Sequence, residues 1–480
     1  MGDPVHFRDS VYDYVEVPRQ YCDLLLDTPL VQRLRRIRQC SLEPLFPCAN
    51  HHRFSHSLGV FHLAQLALQS LDRILTSKKI TPQGKTIVDC SFRAACLLHD
   101  VGHAPFSHVF ERCYAPTPGC TDALLEKLAP LAGGDFNRDR VGFEPKEHEI
   151  VGAILAANVY KNEIRRLGGN PALVARMIVG VEYRYNEPRG WDRPYANYLI
   201  NLLNGPAIDL DKLDYIMRDT AVAGVSSKSL DYRRLLAALS WDASFQSGII
   251  LRKTALACIG AVVDIRNHLN LWFYGHHKVV FDDYLLANAV DEVGRALNVR
   301  GFGHTLFSLD SMQGTVRAGK YRFHAPTDAD VVYLLEAHRH LKACPSAEQW
   351  LSRQHMRPLW KSCAEFKRLF PGDETRRGLA TEAGQTSAAQ KLNGLLRKQN
   401  PKSRLKCVLC PATSNVVHID EGAIRVEFDD GSIEPFRTVV GARQEHELPT
   451  SFFYVYVPTE AKKHRQAMLD LLKEIMLTAQ

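Results

Sequence analysis

The doublet His99-Asp100, preceded by the apolar run Ala94-Ala95-Cys96-Leu97-Leu98, concentrates chemistry at one point of the chain. At the end of a helix such a doublet sets an imidazole beside a carboxylate. Alone it is weak, because a buried histidine with an aspartate partner is a common structural pair. Three features raise it. His56 lies upstream at the start of a helical run, His103 and His108 follow within one loop shaped by Gly102 and Pro105, and Asp211 stands downstream in Asp209-Leu210-Asp211-Lys212. Two imidazoles and two carboxylates make a mixed nitrogen and oxygen donor set. Such a set suits iron, manganese or zinc and is too nitrogen-rich for a dedicated magnesium or calcium cage. A bound metal of this kind lowers the pKa of water from about 15.7 toward about 7, and nearby histidines can protonate a leaving group.

A second group of residues fits a polyphosphate. Arg53 stands three residues before His56. On a helix, Lys212, Tyr215 and Asp219 fall at i, i+3 and i+7, one face, which offers a cation for phosphate, a ring for sugar or base and a carboxylate for a sugar hydroxyl. Leu213 and Met217 point elsewhere and read as core. Arg266, Asn270 and Tyr274, spaced by four, form another such row. Taken singly, a helical lysine or arginine is more often a solvated charge and a helical tyrosine half-buried packing.

These residues must be positioned by a globular chain of 480 residues, 45% hydrophobic and 24% charged, with 60 Lys and Arg against 53 Asp and Glu. That balance excludes a disordered, collagenous or coiled-coil protein, and the net charge of +7 fits an anionic ligand without by itself implying nucleic acid. Residues 1–130 read as helical: Thr28-Pro29 resembles an N-cap followed by proline, Leu30–Gln39 follows, and Ser57 caps a helix whose Leu58, Phe61, Ala64, Leu68, Leu71 and Leu75 form one buried face. Residues 112–145, with Pro116, Pro118, Pro145 and a Gly133-Gly134 pair, read as an insertion or mobile loop. Thr254–Ala296 reads as a long helix broken at Gly275. The chain divides into a catalytic core over 1–300, a helical extension over 301–373, a polar flexible linker over 374–404 and an α+β lobe over 405–480. In that lobe Val416–Ile419, Ala423–Phe428 and Phe452–Val457 alternate like strands, Asp429-Asp430-Gly431 makes a turn, and an amphipathic helix starts near Glu460. No window approaches the ~18 apolar residues of a membrane span. The first ten residues lack an apolar signal core, so an intracellular protein of cytoplasm or nucleus is expected. Cys407 and Cys410 form one Cys-x-x-Cys without the second pair a zinc ribbon needs, and read as thiols.

The stretches Asp27-Thr28-Pro29 through Gln32-Arg33-Leu34-Arg35, His52-Arg53-Phe54-Ser55-His56-Ser57-Leu58-Gly59, Leu98-His99-Asp100-Val101-Gly102-His103-Ala104-Pro105-Phe106-Ser107-His108, and Asp211-Lys212-Leu213-Asp214-Tyr215 with Arg218-Asp219 carry a family resemblance. The sequence resembles the HD-domain phosphohydrolases, and more closely the deoxynucleoside triphosphate triphosphohydrolases of the animal type that combine a sterile-alpha-motif domain with an HD domain. No sterile-alpha-motif segment is expected ahead of the core. The resemblance implies a mostly α-helical HD core with a smaller α+β C-terminal lobe. It implies metal ligands His56, His99, Asp100 and Asp211; catalytic His103, His108 and His148, with Glu111 where the family usually has Asp; and substrate contacts Gln39, Arg53, Lys212, Tyr215, Asp219, Arg266 and Tyr274. The implied reaction is hydrolysis of a deoxynucleoside triphosphate (dNTP) to deoxynucleoside and inorganic triphosphate, with a transition metal at the HD site and magnesium on the triphosphate. It further implies a guanine-nucleotide effector, GTP or dGTP, read by Asp27, Gln32 and Arg35 with phosphate on Arg234 and Arg252, and a homodimer or homotetramer.

Three departures from the family pattern bear on specificity. Cys40-Ser41-Leu42-Glu43-Pro44 replaces a glycine-rich, double-tyrosine stretch, Asn270 replaces a histidine, and Gly275 replaces a base-contacting glutamine. Other HD chemistry on NTPs, alarmones or monophosphates, and a single-stranded nucleic-acid binder with a vestigial site, are the competing readings.

Overall fold

Two short segments set the start of the helix that carries His56. Residues 37–39 pair with 51–53: Arg38 bridges His52, the Gln39 N–H donates to the His51 carbonyl at 3.0 Å, and the Arg53 N–H donates to the Ile37 carbonyl at 3.0 Å. Helix α1, Arg53–Leu75, therefore begins one turn before Ser57, which is buried inside the helix rather than capping it. Its face of Leu58, Phe61, Ala64, Leu68, Leu71 and Leu75 is buried as the spacing predicts. The structure, a computed structural model, describes residues 2–75, 80–114, 121–185, 190–224, 230–241, 248–371, 382–399, 406–411, 419–441 and 452–478.

Helix α2, Pro82–Leu98, starts on a Thr81 side chain that accepts the Gly84 N–H and ends at His99. The His99-Asp100 doublet thus leaves a helix whose last residues, Ala94 to Leu98, are wholly buried. The interior is completed by α3 (Asp122–Ala132), α4 (Glu147–Asn158), α5 (Pro171–Val179) and α6 (Leu210–Val222). Side-chain caps define two of these starts: Asn170 accepts the Ala172 and Leu173 N–H groups, and Asp209 accepts the Lys212 N–H at 2.7 Å. Helix α1 packs on α2 and α6, and α4 on α5. The long run after Thr254 is helix α7 (Leu256–Leu269), a π-helical turn Asn270–Tyr274, a break at Gly275, and α8 (His277–Ala296).

Several expectations need correcting. The N-terminal region opens with an antiparallel hairpin, β1 (Val5–Asp9) and β2 (Asp13–Val17), not a helix. A period of two over five residues per strand is too short to stand out, although it buries Val15 and Val17. Thr28 takes the N-cap position with Pro29 in the first turn as expected, but its hydroxyl donates to the Leu25 carbonyl at 2.6 Å instead of accepting from the helix. Within 112–145 the stretches Asp122–Ala132 and Phe136–Asp139 are helical, and Leu124, Leu125, Leu128 and Ala132 bury one face of α3; residues 115–120 lie outside the described residues. Residues 382–399 of the expected linker form helix α9, Glu382–Gln399. Its polar composition conceals one narrow stripe, Ala388, Leu392 and Leu396 at every fourth position, which is buried.

The C-terminal region is split between two cores. Strand Arg425–Glu427 runs parallel to Ile250–Arg252 and brings Ile424, Val426 and Phe436 into the main core. Strand Phe453–Val457 lies between Arg357–Pro358 and Val408–Pro411, and with α9 and α10 (Arg465–Thr478) closes a second core around Trp360, Phe366 and Phe370. The Trp360 indole N–H donates to the Phe453 carbonyl at 2.8 Å. The hairpin turn at Asp429-Asp430-Gly431 joins Arg425–Glu427 to Ile433–Pro435; the expected strand at 416–419 falls almost wholly outside the described residues. Cys407 and Cys410 are free and buried, and burial pushes the Cys407 thiol up to about 12. Among the described residues no helix is long and apolar enough to cross a membrane.

Candidate active site

His56, His99, Asp100 and Asp211 converge although they come from α1, the end of α2 and the start of α6. His56 Nε2 lies 2.8 Å from Asp211 Oδ1 and 3.2 Å from His99 Nε2. Asp100 Oδ1 is 3.5 Å from His99 Nε2, and Asp100 Oδ2 is 3.8 Å from His56 Nε2. The tautomers follow from the far side of each ring. His99 Nδ1 faces the Cys96 carbonyl at 2.9 Å, which can only accept, so that nitrogen carries the proton. His56 Nδ1 faces Asp214 Oδ2 at 2.7 Å. Arg218 donates to both oxygens of Asp214, at 2.9 and 3.0 Å, and Tyr12 OH donates to one at 2.7 Å. Burial would raise the Asp214 carboxyl, but Arg218 and His56 hold it well below the usual carboxylate range, so it accepts from His56. Both Nε2 atoms then present bare lone pairs to each other and to Asp211. Two lone pairs and two carboxylates at these distances call for a cation, and the donor set fits a transition metal. The charges say the same. Burial pushes His56 down, yet Asp211, Asp214 and Asp100 carry it up to about 10, so without a metal a proton on His56 takes the cation's place.

Of the residues that aim His56, Asp214 and Arg218 lie in the matching motifs, whereas Asp9 and Tyr12 carried no signal in the sequence. Asp214, Arg218, Tyr12 and Asp9, whose Oδ2 accepts from Arg218 Nη1 at 2.9 Å, form a buried chain from the hairpin to the metal set. Carboxylates behind metal-binding histidines fix ring orientation and raise ligand basicity. Asp214→Asn is therefore expected to weaken metal binding by about 10- to 100-fold, read by competition with a fluorescent chelator; unchanged affinity would remove this role.

Arg53 is buried beside the set. Its Nη1 donates to both Asp100 oxygens at 2.8 Å, its Nε to Ser107 Oγ at 2.7 Å and its Nη2 to the Gln39 carbonyl at 3.3 Å. Expected on phosphate, it lines the cavity and at the same time orients Asp100. Burial would raise the Asp100 carboxyl, but Arg53, His99 and His103 hold it well below its ordinary range.

A histidine cluster adjoins this set. The glycine of the His99–His103 loop brings it there: a Cβ on Gly102 would lie 2.3 Å from the His148 carbonyl and 2.4 Å from Gly152 N, so only glycine lets the loop rest on α4. His103 stacks on His148 with ring centroids 3.9 Å apart, and His108 stands 5.2 and 5.3 Å from them. Glu111 joins two of the rings, bonding His108 Nδ1 at 3.1 Å and His148 Nδ1. Burial would raise Glu111, but His148 and His108 hold it well below the carboxylate range. Burial keeps His103 and His108 below the usual imidazole value. His103 Nε2 reaches Asp100 Oδ1 at 3.2 Å, which ties this cluster to the metal set.

One cavity of about 390 Å³ joins His99, Asp100 and Asp211 of the metal set and the histidine cluster to Gln39, Arg53, Lys212, Tyr215, Asp219 and Tyr274, with His56 buried behind it. Lys212 Nζ is held by Asp209 and by the Gly205 carbonyl at 2.7 Å. Asp219 is engaged by His51 Nε2 at 2.7 Å and Tyr274 OH at 2.5 Å. His51, in a loop with no helical periodicity, was missed. Arg266 does not line the cavity; it is buried, with Nη2 3.5 Å from the Ile419 carbonyl. The expected effector residues fall into two groups. Arg35 donates to Gln32 Oε1 at 2.8 Å and its guanidinium lies 3.6 Å from the centre of the Phe54 ring, with Asp27 near enough to raise its pKa against burial. Arg234 Nε donates to the Thr254 carbonyl at 3.1 Å and Arg252 to the Ala237 carbonyl. Among the described residues no hydrogen bond or ion pair joins the two groups.

Fold and site together define an HD domain, and the HD-domain family model matches residues 53–188. The curated relatives are narrower in description. The chain is 27% identical to the deoxynucleoside triphosphate triphosphohydrolase SAMHD1 of Danio rerio over 64% of its own length and 47% of that protein's. Against SAMHD1 of Gallus gallus the values are 27%, 75% and 56%. It is also 31% identical to the uncharacterized protein YwfO of Bacillus subtilis (strain 168), over 48% of this chain and 43% of that one. The chain thus spans about half the length of these relatives. A phosphohydrolase of Bacteroides thetaiotaomicron has the same fold with a TM-score of 0.61 and 17% identity, covering 94% of this chain and 99% of its own.

Proposed function

We propose that this protein is a metal-dependent dNTP triphosphohydrolase, releasing deoxynucleoside and inorganic triphosphate. The observation that carries the proposal is the single cavity wall on which the His/Asp set, the Glu111-linked histidines and the Lys212, Tyr215, Asp219 face meet. The descriptions of the SAMHD1 relatives support the same substrate class.

A divalent transition metal held by His56, His99, Asp100 and Asp211 would supply an activated water and a Lewis acid for phosphate. The chain's own residues do the rest. Glu111 holds the Nδ1 protons of His108 and His148, so their Nε2 atoms are the ones left for substrate. His108 is assigned as the acid that protonates the 5′-oxygen as the nucleoside leaves. His103 and His148 stand as phosphate donors, stacked so that one ring buttresses the other. Magnesium accompanies the triphosphate, which carries up to four charges. Tyr215 and Tyr274 flank the sugar, and the cavity's Cys40 occupies the stretch that departs from the family pattern. Arg53 lines the cavity and fixes Asp100.

A guanine nucleotide is proposed as activator at Asp27, Gln32 and Arg35. Because Arg234 and Arg252 share no contact with that group in one chain, an effector touching both would sit between copies of a homodimer or homotetramer. GTP dependence that follows Arg35→Ala supports this; turnover independent of GTP contradicts it.

Two outcomes test the enzyme reading. Incubation with dATP, GTP and manganese should yield deoxyadenosine with no dAMP or dADP; either nucleotide as the product would move the protein to other HD chemistry. His148→Ala should lower kcat by about 10²- to 10³-fold, the usual contribution of one hydrogen-bond donor aimed at developing charge, while the metal content stays at the wild-type level. Normal turnover would remove His148 from the reaction.

A further inference from the structure

Lys146 is absent from every motif that carries the family resemblance, yet it lines the same cavity as the metal set. It precedes α4. Its main-chain N–H donates to Glu149 Oε2 at 3.0 Å, and its carbonyl accepts the Ile150 N–H at 3.0 Å. The helix start thus fixes its backbone two residues before His148, while the side chain extends along the cavity wall.

Three lining residues carry a permanent positive charge: Arg53, Lys146 and Lys212. They differ in what holds them. Arg53 is bound by both oxygens of Asp100. Lys212 is bound by Asp209 and the Gly205 carbonyl. The Lys146 ammonium makes no ion pair or side-chain hydrogen bond with any described residue. The same wall carries seven carboxylates, from Asp100, Glu111, Glu144, Glu149, Asp211, Asp219 and Asp283. A polyanion entering such a wall needs a cation that is not already neutralised. The carboxylates acting most strongly on Lys146 are Glu149, Asp211, Glu111 and Asp209, which keep it charged against burial. Its place two residues before His148 puts it on the wall formed by the start of α4, a different element from the α6 face assigned to the sugar.

We infer that Lys146 is a substrate-binding residue that takes the phosphates beyond the α-phosphorus, the part of the nucleotide that leaves as triphosphate. This rests on the proposed hydrolysis of a nucleoside triphosphate and adds to it a specificity determinant for chain length: a monophosphate has nothing for Lys146 to hold. A lysine serves here because a point charge on a flexible stem can follow a phosphate chain.

The test compares wild type, Lys146→Met and Lys146→Arg as metal-loaded proteins. The main-chain bonds at this position survive both substitutions, so folding is retained. Calorimetric titration with inorganic triphosphate, magnesium in excess, should show binding weakened by about 10- to 100-fold in Lys146→Met, the range of a charged hydrogen bond, and largely restored in Lys146→Arg. Deoxynucleoside binding should be unchanged, and the KM for dNTPs should rise with kcat nearly constant. Triphosphate binding and KM equal to wild type in Lys146→Met, with dNTP turnover intact, would overturn the role of Lys146 and leave the enzyme reading standing. A wild-type protein that neither binds triphosphate nor hydrolyses any dNTP would overturn both.

Discussion

Asp211→Ala yields a folded protein that no longer retains its metal and turns over dNTPs at least about 10³-fold more slowly, because the chemistry of water activation is worth several kcal/mol. Folding is expected to survive for a local reason. The Asp211 side chain is 38% exposed to the cavity, and its partners His56 and His99 keep their other hydrogen bonds, to Asp214 and the Cys96 carbonyl. Removing the carboxylate in the metal-free protein also relieves part of the charge that His56 must balance. Metal content by plasma emission, turnover by nucleoside release and a thermal unfolding curve separate the cases. Loss of metal and turnover with a near-normal unfolding midpoint is the expected pattern. Full activity in Asp211→Ala would mean that the four residues are a hydrogen-bond cluster and not a metal centre.

Gly59→Ala is expected to be strongly destabilising, against the direction that helix propensity alone would give. Alanine in place of glycine within a helix is ordinarily favourable by about 1 kcal/mol. Here an added Cβ would stand 1.8 Å from Asp214 Oδ1 and 2.5 Å from Arg218 Nη2. Both groups are fully buried and bonded to each other, so neither can retreat without separating a buried ion pair. Disrupting such a pair costs about 3–5 kcal/mol. Displaced Asp214 also releases His56 Nδ1, so metal affinity falls with stability. Chemical denaturation and the chelator competition used for Asp214→Asn read the two effects, and a Gly59→Ala protein as stable as wild type would refute the placement of Asp214 behind His56.

The gradient of legibility along the chain has physical causes. His56, His99, Asp100 and Asp211 were readable because a metal set needs particular donor types, and those types announce themselves. The i, i+3, i+7 face of Lys212, Tyr215 and Asp219 was readable because α6 is regular. The supporting Asp9 and Tyr12 were not. They are ordinary polar residues whose role comes from burial, and burial depends on a hairpin too short to show its period. Composition misled at α9, where three buried apolar residues in eighteen suffice to seat a helix. The boundary of the C-terminal lobe was hidden for a topological reason: strand Arg425–Glu427 pairs in parallel with Ile250–Arg252, far away in sequence.

The central claim is that water attacks the α-phosphorus and the triphosphate leaves intact. Hydrolysis of dGTP in ¹⁸O-labelled water, followed by phosphorus NMR, tests it most directly. The account predicts inorganic triphosphate as the phosphorus product, with one isotope-shifted terminal phosphorus and no label in the deoxyguanosine. Label appearing in orthophosphate, pyrophosphate or a nucleotide, or in the 5′-oxygen of deoxyguanosine, would contradict it.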